Sequence, residues 1–311
     1  MIPVGFTLQP DPQFLDLCDG IIRDADYWEV APETLWRMRP DGRLEDNGYH
    51  KRFCAMTRGR RFFVAHGVGI SLGSAAAVDA RRRRAWLARV KADHAAFGFR
   101  WYTDHLGASA VGGLAMTLPL PLPMTAEAAR VVRRRLSQMQ RVVGHVGVEN
   151  NVAYFVVGDP LDEPRFLMDC VRARGCHLLL DLHNVYTMAV NHGFDPAEYL
   201  RRLDLGKVIE IHVSGGSESD PRWLPTGRVL RLDGHDGAVP ELVWRMLEAV
   251  APRCPNLRGV TLERMEGTVE AADVPILAAE MQRLRATVQR RRWAPARRPG
   301  LRAERALMVS A

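Results

Sequence analysis

The chain has 311 residues, 47% hydrophobic and 25% charged, which is the balance of a globular protein with a full core and not of a disordered or fibrous one. No apolar run reaches the ~18–20 residues of a membrane helix, the opening Met1-Ile-Pro-Val-Gly5 lacks the regions of a signal peptide, and five scattered cysteines without a CxxC pair argue against a thiolate metal site and for a reduced, cytoplasmic setting. The net charge of +7 belongs to the tail, where nine arginines and one glutamate from Gln282 onward leave the preceding 281 residues at −1, so neither nucleic acid nor membrane is an expected partner.

Residues 4–8 are predicted as the first strand, followed by a helical stretch through Phe14, Leu15 and Ile21. Residues 27–30 form the second strand and run out into Ala31-Pro-Glu33. Residues 36–60 read as irregular, broken by Gly42, Asn47 and Gly48. The third strand, 61–66, leads through the Gly-rich turn 67–74 into a long helix ending near Gly98, and the fourth strand is 99–105. A Gly- and Pro-rich loop, 106–124, precedes a helix capped by Thr125. The fifth strand (146–149) and the sixth (178–181) flank a helix around 166–174. A short helix at 195–203 leads to the seventh strand, 208–212. The excursion 214–236 and a helix at 240–250 then lead to the eighth strand, 259–263, and to a last helix at 274–285.

Eight strands alternating with helices predict a (β/α)8 TIM barrel over residues 1–285, with a basic, disordered tail over 286–311. A doubly wound open sheet is the competing arrangement, but no GxGxxG follows any early strand.

The last polar residue of each strand carries the functional signal. Strand two gives Glu29, with Glu33 just beyond; strands three to eight give His66, His105, Glu149, Asp181, His212 and Glu263, and Asp233-Gly-His235 lies in the loop after strand seven. A barrel gathers its strand ends on one rim, the face that carries the chemistry. Buried carboxylates without partners cost several kcal/mol each, and cations would neutralise them. Imidazole with carboxylate and no thiolate suits iron, zinc or manganese. The candidates exceed what one ion can use, which implies two or more. His183, two residues past Asp181, is placed by strand periodicity on the same face, as a ligand or as a residue that hydrogen-bonds one; His192 has an equal claim to reach the site. His145 and His177 fall at strand beginnings, where residues serve stability, and His50 and His94 read as surface or packing residues.

Several segments carry a family likeness: His66-Gly-Val-Gly-Ile-Ser-Leu-Gly-Ser74, Asp104-His105-Leu106, Glu149-Asn150, Asp181-Leu-His-Asn-Val-Tyr186, Asn191-His-Gly-Phe-Asp-Pro196, Glu210-Ile-His212 and Asp233-Gly-His-Asp236, with Glu29-Val-Ala-Pro-Glu33 and the Leu-Pro-Leu-Pro of 120–123. Over residues 3–265 the chain resembles the multinuclear non-haem iron-dependent oxidative enzymes, a (β/α)8-barrel family that includes the iron enzyme of methanobactin biosynthesis. The resemblance implies that His66, His105, Glu149, Asp181, His212 and Glu263 hold two irons, with a third position at Asp233 and His235, and it marks Asp181, His183 and Asn184 as catalytic candidates. It also implies use of O2 as co-substrate to modify a ribosomally made precursor peptide, often at cysteine, with a peptide-recognition partner protein delivering the peptide. The chain departs from the family pattern at His183, where an asparagine is usual. A zinc or manganese hydrolase or isomerase on the same barrel, of the endonuclease or sugar-isomerase type, is the competing reading.

Overall fold

The computed structural model describes residues 1–57, 59 and 61–289, so the basic tail lies outside the described residues from 290 onward. Its first four residues complete the last helix, Val274–Gln289, in which Val288 is buried.

Eight short apolar runs, too short for helices and buried on both faces, become the strands of one closed parallel barrel. They are β1 (Val4–Thr7), β2 (Tyr27–Val30), β3 (Phe62–Gly67), β4 (Tyr102–His105), β5 (Val146–Glu149), β6 (Cys176–Asp181), β7 (Val208–Val213) and β8 (Gly259–Leu262). Each pairs with the next, and Val4 opposite Val260 closes the ring. All eight strands stand where the sequence places them.

The outer core between strands and helices is Leu-, Val- and Phe-rich. Inside, the N-terminal half is plugged by Tyr27 and Trp101, packed edge to face with ring centroids 5.7 Å apart, together with Val64 and Ile209. Gly5 and Gly259 make room for the plug: a Cβ on either would lie 2.4 Å from an atom of Tyr27. Gly259→Ala is therefore expected to destabilise the protein by about 1–3 kcal/mol through overpacking, read as a lowered midpoint in thermal unfolding.

Three stretches differ from the sequence reading. Residues 36–60 hold a hairpin, Trp36–Met38 with Leu44–Asp46, and a helix, Gly48–Met56. Asn47, read as a turn former, is that helix's N-cap and accepts from the amides of Tyr49 and His50. The loop 106–124 contains a second hairpin, Ala108–Val111 with Leu114–Leu120, turned by Gly112 and Gly113 at φ 61° and 90°. A helix, Leu182–His192, begins directly after β6, with Asp181 as its N-cap.

Candidate metal centre

The period of two along each strand sends alternate side chains into the barrel, and the closed register sets the strand ends side by side. Glu149 Oε2 lies 3.2 Å from His66 Nε2 and 3.1 Å from His105 Nε2. His212 Nδ1 lies 2.9 Å from Glu263 Oε2 and 4.0 Å from Asp181 Oδ2. The rings of His66 and His212 sit 5.2 Å apart, which joins the two groups. From the excursion after β7, His235 Nδ1 lies 3.3 Å from Glu263 Oε1, and its Nε2 lies 2.7 Å from Asp233 Oδ1. His235 takes a left-handed backbone, φ 48°, uncommon for a residue with a side chain and kept where surroundings enforce it. All eight ligand candidates thus gather at one rim.

His183 reaches the same place by a different route from the one its spacing suggests. It sits on the first turn of the helix after β6, not on a strand, and is fully buried with Nδ1 3.9 Å from Asp233 Oδ1. Asn184 supports its neighbours: its backbone amide donates to Asp181 Oδ1 at 2.6 Å, and its side-chain amide donates to Glu149 Oε1 at 3.3 Å and to the Asn150 carbonyl at 3.0 Å. Asn150 in turn brackets the backbone of Asp181 with bonds of 2.9 Å in both directions. His192 turns away, bonded at 2.7 Å to the Ala153 carbonyl. His145 and His177 pair with each other at 3.1 Å. His50 is buried against Asp93 at 3.1 Å. Glu210 is a site residue that the reading of strand ends passes over, although it precedes His212 by two and so shares its inward face.

The donor atoms themselves decide whether this cluster suits cations. His66 Nε2, Glu149 Oε2, Asp181 Oδ2, His183 Nδ1, His212 Nδ1, Asp233 Oδ1, His235 Nε2 and Glu263 Oε2 are all buried, and among the described residues none makes a well-aligned hydrogen bond; they face one another only in the close contacts given above. Buried polar atoms are ordinarily paired, so eight orphans at one place require an explanation that internal hydrogen bonding does not give. The opposite ring nitrogens are satisfied: His66 Nδ1 lies 2.9 Å from Thr103 Oγ1, and His105 Nδ1 lies 3.1 Å from the Gly67 carbonyl. Two triads, His66–Glu149–His212 and Asp181–His212–Glu263, each offer three ligand atoms within 4.8 Å of one another.

The electrostatics agree. Burial pushes Glu149 up to about 7, with the charges of His105 and His212 opposing. Burial, then Glu149 and Asp233, push Asp181 well above the usual carboxylate range. Burial drives His66 and His183 down to about 4. Burial also works against charge on His212 and His235, but the surrounding carboxylates outweigh it and hold both well above an ordinary histidine. Asp233 and Glu263 go the other way, lowered against burial by the charges of His235 and, for Glu263, His212, so protons crowd onto Glu149, Asp181 and the two histidines, and divalent cations would relieve that crowding.

A sequence profile described as "RiPP precursor modification enzyme MbnB/TglH/ChrH" matches residues 5–289. A relative from Caulobacter vibrioides named "UPF0276 protein" is 35% identical over 251 residues, 80% of this chain and 82% of its own length. Another of that name from Rhizorhabdus wittichii is 35% identical over 240 residues, 76% and 79% of the two chains. Among solved structures, a xylose isomerase domain protein from Planctomyces limnophilus superposes with a TM-score of 0.58 at 16% identity, covering 93% of this chain and 98% of that one. Endonuclease IV from Thermus thermophilus gives 0.53 at 17% identity, covering 91% and 99%. At such identities the likeness is one of fold.

Proposed function

The chain belongs to the MbnB/TglH/ChrH family of RiPP precursor modification enzymes, and from that premise we propose that it is a multinuclear non-haem iron enzyme that uses O2 to oxidise a ribosomally made precursor peptide. The observation that carries this reading is the convergence of eight orphaned, buried donor atoms from five residues at the strand ends, one on the helix after β6 and two in the loop after β7. His66, His105 and Glu149 would hold one ion, and Asp181, His212 and Glu263 a second. Asp233 and His235 would hold a third, completed by His183 Nδ1. The all-nitrogen and oxygen donor set fits iron, as it also fits zinc or manganese. Bound iron would supply the electron-transfer chemistry that lets O2 oxidise a peptide side chain.

The chain's own residues do the positioning. Thr103 and the Gly67 carbonyl fix the Nδ1 sides of His66 and His105, leaving their Nε2 atoms directed at Glu149. Asn184 steadies the other oxygen of Glu149. An apolar pocket of about 130 Å³, lined by Leu106, Pro119, Leu122, Phe155 and Met188 among others, opens among the loops that follow His105 and Glu149. In this reading it receives an apolar side chain of the extended peptide, and a separate partner protein delivers that peptide.

The test is co-expression with any short peptide encoded beside the gene, followed by mass spectrometry of the peptide with and without O2. An O2-dependent mass change is the expected result. A mass change indifferent to O2, or turnover that survives complete replacement of iron by zinc, would instead favour a hydrolase or isomerase.

A further inference from the structure

His212 stands between two acids, one on each ring nitrogen. Its Nε2 makes a 3.0 Å hydrogen bond to Glu29 Oε2, whereas its Nδ1, facing Asp181 and Glu263, has no hydrogen-bond partner. Glu29 is fixed from behind by the ladder, since its carbonyl accepts from the Leu8 amide at 2.8 Å. Its other side-chain oxygen has no partner, so among the described residues the side chain's one hydrogen bond is to His212.

Glu29, Glu210 and His212 also lie close enough to offer three ligand atoms within 4.8 Å of one another. Glu29 is thus either a ligand of a deeper ion or the group that orients His212. Glu210 decides between them. Its Oε1 accepts from Tyr27 Oη at 2.9 Å and Thr261 Oγ1 at 2.7 Å, and its Oε2 accepts from Trp101 Nε1 at 2.5 Å. A carboxylate with three donors already aimed at it is held by hydrogen bonds and is not waiting for a cation. Without Glu210, only two donors remain, too few for a site.

We propose that Glu29 is a positioning residue: by accepting the Nε2–H of His212 it fixes the tautomer whose Nδ1 lone pair points at Asp181 and Glu263. The inference rests on the metal reading given above. His66 and His105 present Nε2 to the centre, with Nδ1 held behind by Thr103 and Gly67. His212 presents the opposite nitrogen, and Glu29 is the residue that reverses it. A carboxylate behind a ligating imidazole also raises its basicity, and losing such a partner costs about 10–100-fold in metal affinity.

The experiment uses the full chain, labelled with nitrogen-15 at histidine and loaded with zinc as a diamagnetic probe. Nitrogen NMR is expected to show His212 protonated at Nε2 and bound to zinc through Nδ1. Glu29→Gln keeps an acceptor oxygen and is expected to keep that tautomer. Glu29→Leu removes the acceptor and is expected to weaken the zinc position that includes His212 about 10–100-fold while leaving the position of His66 and His105 unchanged. Zinc bound through Nε2 of His212, or a Glu29→Leu protein that binds every ion as the parent does, overturns the proposal. If Glu29→Leu does not fold, the tautomer in the parent and in Glu29→Gln decides alone. A parent protein that binds no zinc and no iron overturns the metal reading itself, and this inference with it.

Discussion

Replacing Glu149 with alanine is expected to weaken more than one metal position and to abolish O2-dependent turnover. Glu149 Oε2 lies within 3.2 Å of both His66 and His105. Its side chain also reaches the second group, since a carboxylate oxygen lies within 4.8 Å of a ring nitrogen of His212. The loss in affinity should exceed the roughly 10–100-fold seen when only a supporting residue is removed. Asn184→Ala sets the contrast. It deletes a 3.3 Å hydrogen bond to Glu149 Oε1 but no donor atom of the two principal triads, so its effect should fall inside that range. Elemental analysis after anaerobic purification reads both. Equal metal loss from the two variants, or full metal in Glu149→Ala, would refute the assignment.

Metal removal is expected to lower thermal stability, and by more at higher pH. An ion present at a thousand times its Kd stabilises the folded state by about 4 kcal/mol, on the order of 5–10 °C per ion for a chain of this size. The pH dependence follows from the acids. Burial holds Glu149 at about 7 and Glu29 at about 8 in the metal-free fold, both raised from an ordinary 4.5. A raised carboxylate gives stability that is fully present below about pH 4.5 and is lost as pH climbs through 7 to 8. His66 and His183, lowered from 6.5 to about 4, act in the opposite sense: their contribution is intact above pH 6.5 and disappears on acidification towards 4. Between pH 6.5 and 8.5 the lowered histidines no longer change, whereas the raised acids and the raised imidazoles of His212 and His235 all give up stability, so the metal-free protein should melt progressively lower. Bound cations compete with those protons and hold the carboxylates ionised, which makes affinity rise with pH. The gap between loaded and metal-free melting temperatures should therefore widen across this window in calorimetry with and without chelator. A constant gap would mean that these carboxylates do not bind metal.

The barrel was legible because eight short apolar runs alternate with helical stretches, seven of them carrying a polar residue at or near the end, and a (β/α)8 fold leaves little choice about where those ends go. The ligand candidates were legible for the same reason: His66, His105, Glu149, Asp181, His212 and Glu263 all lie at, or within one residue of, the C-terminal end of a strand. Residues whose placement depends on loop geometry were less so. Asn47 and Gly48 read as a turn because cap residues and turn residues share a chemistry, and a helix lay behind them. His183 was put on a strand because nothing before Asp181 announces a helix; Asp181 itself is the cap, and capping and ligand candidacy coincide in one side chain. Glu210 was passed over because its environment of Tyr27, Trp101 and Thr261 comes from three other strands and exists only once the barrel closes.

The aromatic plug has a consequence for traffic. With Tyr27, Phe62 and Trp101 packed across the floor of the barrel at centroid distances of 4.9–5.8 Å, the well above them is blind. Under the proposed function, a peptide cannot thread through; it must dip its reacting residue in from the rim and withdraw by the same mouth. Modification of successive residues would then require a release and a fresh approach for each, so a peptide with several targets should accumulate singly modified forms before doubly modified ones. Whatever covers the rim sets the pace for both arrival and departure.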